Sequence, residues 1–176
     1  MTLHETRLAG VFLVDPPVAA DDRGWFAELF QARALAAAGW TGGFVRTALS
    51  HNARRGTLRG LHFQRAPHAD AKLVTCVSGA FFDVVADIRP GSPTFGRWEG
   101  FELTAANRRL VFMPEGVAHG FQTLADETTV LYHIGAYYAR EAGDGIRWDD
   151  PTLAIAWPLA PTGLSDQDRG WGPLRP

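Results

Sequence analysis

Apolar and polar residues alternate along this chain in short runs, and Gly, Pro, Asn and Asp close most of them. A two-residue period marks strands, because successive side chains point to opposite faces. The pattern predicts strands over residues 11–14, 25–30, 45–50, 57–63, 72–77, 80–88, 98–103, 109–113, 120–124 and 128–136. Pro16-Pro17 stops the first, and Asp21-Asp22-Arg23-Gly24 is a turn signal before the second. Ser78-Gly79 reads as a two-residue hairpin between its neighbours. The one good helix former is the Ala-rich run 32–38, with Gly39 as its C-cap. Many short strands with Gly/Pro turns predict an all-β unit over residues 1–176, built as a sandwich, barrel or jelly roll. From Tyr137 onward the pattern turns irregular, yet aromatic anchors argue against a disordered linker.

Polar residues inside the predicted strands change the picture. Gly56-Thr57-Leu58-Arg59-Gly60-Leu61-His62-Phe63-Gln64 sets an Arg, a His and a Gln in an otherwise buried run. Polar groups taken out of water need partners, so such a cluster reads as a pocket lining. Strict alternation puts His62 and Gln64 on one face and Arg59 on the other, unless Gly60 carries a bulge. Lys72 follows, and then Asp83 in mid-strand, sharing a face with Phe81, Val85 and Asp87. Asp83 is expected in a polar cavity. Asp87, beside Arg89 at a strand end, is expected at the surface or in an ion pair. His119, between small apolar residues, reads first as a hydrogen-bonded structural residue.

Composition narrows the function. The chain has 176 residues, 46% of them apolar, which is enough for a real core. A net charge of −2 offers no basic field for nucleic acid or an anionic membrane. No apolar run is long enough to span a bilayer, and a cytoplasmic protein is expected. Cys76 is the sole cysteine, so no intrachain disulfide forms, and it reads as a small buried hydrophobe. A metal-binding jelly roll normally offers two His one residue apart. His4, His51, His62, His68, His119 and His133 never fall so, and no metal site is expected.

An ordered series of motifs carries a resemblance. It runs through Asp22-Arg23-Gly24-Trp25-Phe26-Ala27-Glu28, the Arg59–Gln64 run, Lys72-Leu73-Val74, Phe82-Asp83-Val84 and Ala118-His119-Gly120-Phe121. It continues with Leu131-Tyr132, Tyr137-Tyr138, Trp148-Asp149-Asp150-Pro151 and Leu164-Ser165-Asp166-Gln167-Asp168. Over nearly the whole chain this resembles the dTDP-4-dehydrorhamnose 3,5-epimerase family. The resemblance implies a cupin-type jelly roll with no cofactor, working as a homodimer whose N-terminal segment completes the partner's pocket. The implied substrate is a nucleotide-linked 4-keto-6-deoxy sugar, with dTDP as the nucleotide.

By the same resemblance His62 is the base, Asp168 orients it, Tyr132 is the acid on the opposite face, and Lys72 sits near the C4 oxygen. Arg59 matches a contact to the sugar or diphosphate, Asp83 and His119 match residues around the His62–Asp168 pair that bind substrate and tune that pair, and Tyr138 is an aromatic contact near the nucleotide. Gln64, from the polar cluster, is expected to bind substrate as well. Arg23, Phe26 and Glu28 are nucleotide contacts lent by the neighbouring subunit. Thr47 to Ala53 departs from the Asn-x-Ser-x-Ser-type run of many members, and Ser50 and Asn52 are expected in place of those contacts. The alternatives are an epimerase acting at C3 or C5 alone on another such sugar, a sugar 3,4-ketoisomerase, and a catalytically silent cupin.

Overall fold

The alternating segments become strands, and from residue 46 onward most successive strands switch between two sheets. The computed structural model describes residues 1–175. The chain begins with β1 (Thr2–Glu5), β2 (Phe12–Asp15), β3 (Val18–Asp21), β4 (Gly24–Ala27) and α1 (Ala32–Ala37). Next come β5 (Arg46–Asn52), β6 (Leu58–Gln64), β7 (Lys72–Ser78), β8 (Ala80–Asp87) and β9 (Trp98–Thr104). β10 (Leu110–Met113), β11 (Val117–Thr123), β12 (Thr128–Ile134), β13 (Gly143–Gly145) and α2 (Asp166–Gly170) complete it.

One sheet has the order β1-β2-β10-β7-β12-β5, and the facing sheet β13-β6-β11-β8-β9. All their pairings are antiparallel. This is a jelly-roll sandwich. β3 and β4 form a separate two-stranded ribbon.

Ser78-Gly79 does not make the expected hairpin. β7 pairs with β10 and β12, while β8 pairs with β9 and β11. The two residues carry the chain from one sheet to the other, and Gly79 at φ +75° takes the sharp corner. Other boundaries also shift. β4 ends at Ala27 rather than near Phe30, and β11 begins at Val117 rather than Gly120. α1 matches the expected run to within a residue, and Gly39 beyond it has the left-handed φ of a C-cap, +93°.

Three apolar clusters hold the layers. Between the sheets, Val74, Cys76, Val111, Met113 and Val130 meet Phe81, Val85, Leu103 and Phe121. α1 and the segment after it cover the outer face of the larger sheet with Leu35, Trp40 and Phe44. The tail covers the outer face of the other with Ile146, Leu153, Ile155 and Trp157. The irregular tail is therefore the second coat of the smaller sheet, as its aromatic anchors suggest.

One defect in the ladder positions the site. β11 pairs with β6 as His119↔His62 and Phe121↔Arg59, so two residues of β6 face one of β11. Gly60 and Leu61 form this bulge, and Arg59 and His62 emerge on the same face. A Cβ on Gly60 would stand 2.5 Å from the Gly120 Cα and 2.9 Å from the His119 carbonyl oxygen. Its φ of +125° also excludes ordinary side chains. Gly60→Ala is expected to cost about 3 kcal/mol of stability, read as a lower urea midpoint. A midpoint equal to that of the parent would contradict the close packing.

Candidate active site

The inner face of the smaller sheet supplies one wall of a cleft. Arg59 and His62 come from β6, and His119 from β11 beside them. His62 Nε2 meets Asp168 Oδ1 at 2.5 Å, across 106 residues of sequence. Asp168 is only 3% exposed. It lies in the first turn of α2, where Ser165 caps the helix by accepting the Asp168 backbone N–H at 3.0 Å. The Trp171 indole N–H also donates to Asp168 Oδ1 at 3.3 Å. Burial alone would raise the Asp168 carboxyl. The His62 hydrogen bond and charge, with Ser165 and Trp171, outweigh it and hold the group below its ordinary range. An ionised Asp168 fixes the proton of His62 on Nε2 and leaves Nδ1 free to accept one.

The facing sheet supplies the other wall. Tyr132 on β12 pairs with Val74, and Lys72 on β7 lies two pairs further along on the same face, opposite Ile134. The Tyr132 ring meets His119 edge-on, with centroids 6.0 Å apart. Burial, then the charge of Asp83, raise the Tyr132 phenol above its ordinary value, against the pull of Arg59. It is therefore neutral and proton-bearing. Lys72 Nζ donates to Asp70 Oδ1 at 2.9 Å.

Two cavities share His62 and Lys72. The larger, about 720 Å³, runs past Arg46, Tyr138, Arg140 and Trp171. The smaller, about 290 Å³, is lined by Ser50, Arg59, His119 and Tyr132. Together they form a cleft with a proton acceptor on one sheet and a proton-bearing phenol on the other. Among the described residues, no group of three His, Cys, Asp or Glu is placed to hold a metal ion. No helix is long and apolar enough to cross a membrane.

The other expected residues divide into those in the cleft and those behind it. Asp83 is fully buried, and His119 Nε2 donates to its Oδ1 at 2.6 Å, making a second His–Asp pair. Asn52 stands behind Arg59, accepting from its Nε at 2.8 Å while donating to the Ser50 and Thr128 carbonyls. Gln64 is buried, and its amide holds the His68 and Tyr137 carbonyls and the Ala139 N–H. Its polar atoms thus brace the loop that carries Tyr138. Asp87 is ion-paired as expected but not at the surface. It is fully buried, and Arg89, Ser92 and Thr94 satisfy it.

Arg23, Phe26 and Glu28 stay away from this cleft in their own chain. Arg23 is paired with Asp21, and Gln31 with Glu28. Phe26 is 68% exposed on the β3–β4 ribbon, beside Trp25, which is also exposed.

Residue-by-residue reading passed over Asp70 and Trp171. A composition signal pointed toward the first: of the 17 Lys and Arg residues, Lys72 is the only lysine. A residue type used once, in a pocket, directs attention to whatever holds it. Trp171 lies in the irregular tail and carries no comparable signal.

Fold and site together define a jelly-roll protein that sets an oriented imidazole opposite a phenol in one cleft. The sequence model of a family described as dTDP-4-dehydrorhamnose 3,5-epimerase matches residues 5–175. A protein of that name from Shigella flexneri is 42% identical over 169 residues, 96% of this chain and 93% of its own length. The Bacillus anthracis structure of that name, with TDP and pyrophosphate bound, superposes with a TM-score of 0.94. It is 42% identical, and the match covers 98% of this chain and 99% of that one. A Legionella pneumophila 3,5-epimerase structure in complex with dTDP-4-keto-L-rhamnose gives 0.93 at 39% identity, covering 98% and 92%. The chain belongs to the dTDP-4-dehydrorhamnose 3,5-epimerase family.

The Asp168 carboxyl has a lowered native value, so its contribution to stability is full above the unfolded value of about 3.9. It fades as pH falls through the native value. The stability gap between the parent and Asp168→Asn is therefore expected to be wide at pH 7 and to narrow toward pH 3 in urea titrations. A gap unchanged with pH would contradict the assignment.

Proposed function

We propose that this protein inverts C3 and C5 of dTDP-4-keto-6-deoxyglucose, yielding dTDP-4-keto-L-rhamnose without a metal or organic cofactor. One observation carries the reading: the His62 imidazole and the Tyr132 phenol reach the same cleft from facing sheets. Inversion beside a ketone needs a base on one face of the ring and an acid on the other. His62 removes the proton next to the C4 carbonyl, and the electron pair moves onto the C4 oxygen. Asp168 supports the imidazolium by orientation and charge. Lys72 stabilises the enolate oxygen. Tyr132 then delivers its proton to the opposite face of the carbon. C3 and C5 both flank C4, so one acid–base pair serves both once the ring shifts and exchange with water has taken the proton from His62 and restored the one on Tyr132.

Arg59 suits the diphosphate, since a guanidinium binds phosphate oxygens in two-point fashion. Asn52, seated behind it, fits a role in aiming Arg59, and Ser50 lines the cavity alongside. Asp83 and His119 form the polar floor, and Tyr138 fits a stacking contact with the base. The exposed aromatic ribbon supports a homodimer in which Arg23, Phe26 and Glu28 complete the partner's cleft. A cytoplasmic enzyme fits this substrate class.

The test is proton NMR of the sugar nucleotide with the protein in D₂O. Deuterium is expected at both C3 and C5, and His62→Ala is expected to slow entry about 10²–10⁴-fold. Entry at one carbon only would turn the reading to a mono-epimerase or ketoisomerase. Exchange unaffected by His62→Ala would overturn the base.

A further inference from the structure

Lys72 is held by a single side chain, and that side chain takes no part in the proton transfers above. Its ammonium donates to Asp70 Oδ1 at 2.9 Å, and among the described residues it has no other protein acceptor. Both groups are largely enclosed, with side chains 12% and 5% exposed for Lys72 and Asp70. Both line the larger cavity together with His62. Lys72 alone of the two also lines the smaller cavity with Tyr132.

A carboxylate in this position is conspicuous. It lies in a cleft that also presents Arg46, Arg59 and Arg140, a setting that suits an anionic ligand. An unpaired carboxylate there would repel such a ligand and lose its own hydration. Pairing with Lys72 removes both costs. Lysine is a point charge on a flexible four-carbon stem, and it costs rotamer entropy to fix. One carboxylate oxygen at 2.9 Å fixes one N–H and leaves two for a ligand.

The Asp70 backbone is itself fixed. Gln64 Nε2 holds the His68 carbonyl at 2.9 Å on one side, and the Gly135 N–H holds the Ala71 carbonyl at 2.8 Å on the other. Gln64 also braces the Tyr138 loop, so the two loops flanking the cleft are tied to one buried amide.

We propose that Asp70 is a positioning residue, which holds the Lys72 ammonium where negative charge develops on the substrate oxygen. The kinetic part of this inference rests on the epimerase reading; the structural part does not.

The chain has one lysine, so protein grown on ¹³C-lysine gives a single set of lysine side-chain signals, those of Lys72. In the parent these should show a restrained side chain. In Asp70→Ala they should move to the averaged values of a mobile lysine. Asp70→Ser, too short to reach Nζ, serves if the Ala variant does not fold. Asp70→Ala should also lower kcat about 10–100-fold with KM within about threefold, because small misplacement of a charge-stabilising group acts on the reacting state. In a Lys72→Ala background the same change should cost nothing further.

Lysine signals unmoved by loss of the carboxylate would overturn the proposal. So would an equal loss of kcat with and without Lys72, or an unchanged kcat in a protein whose lysine has been freed. If the parent protein leaves the sugar nucleotide unexchanged, the epimerase reading fails while the lysine signals still decide the pair.

Discussion

The packing of Gly60 on Gly120 is the contact on which the site depends. Two strands approach there more closely than any side chain allows, and β6 accommodates the approach with a bulge. Without it, strict alternation would send Arg59 and His62 to opposite faces of the sheet. With it, both reach the sandwich interior, while Leu61 and Phe63 pack outward under the tail. A constraint on two glycines thus decides which chemistry the strand presents.

The sandwich supplies the second requirement. A single sheet offers its polar groups from one side only, whereas proton removal and return on opposite faces need two walls. Here β6 and β11 carry His62 and His119, and β7 and β12 carry Lys72 and Tyr132. The electrostatics differ between the walls. Asp168 accepts from His62 and stays ionised through hydrogen bonds that outweigh its burial. Tyr132 is pushed the other way by burial and by Asp83, and keeps its proton.

Much of this was legible in the chain. Alternation located most strands of both sheets, and the Arg–His–Gln cluster marked the cleft. Gly60 was legible as a place where a bulge could re-aim Arg59 or His62, because a Gly inside a strand pattern often marks one. Other features were not legible from local pattern. The Ser78-Gly79 corner has the composition of a hairpin, and only the competing pairings of β7 and β8 make it a crossover. The pairing of Asp168 with His62 spans 106 residues and hangs on a short capped helix in an irregular tail. Residue chemistry alone favours a surface role for such an Asp, and the motif series was needed to single it out. Gln64 lines the larger cavity, and the part local pattern did not show is that its amide is held by backbone groups of two loops. β1, β3 and the three-residue β13 carry too few alternating apolar positions to stand out, whereas β4 falls in the predicted 25–30 run.

The central claim is that His62 and Tyr132 address opposite faces of one sugar ring. Solvent-deuterium incorporation by the Tyr132→Phe variant tests it most directly, with configuration read at C3 and C5. The account predicts that His62 still removes the proton and returns deuterium to the face it came from, so label enters with configuration retained. Inversion at the parental rate, or no label at either carbon while His62 is intact, would contradict it.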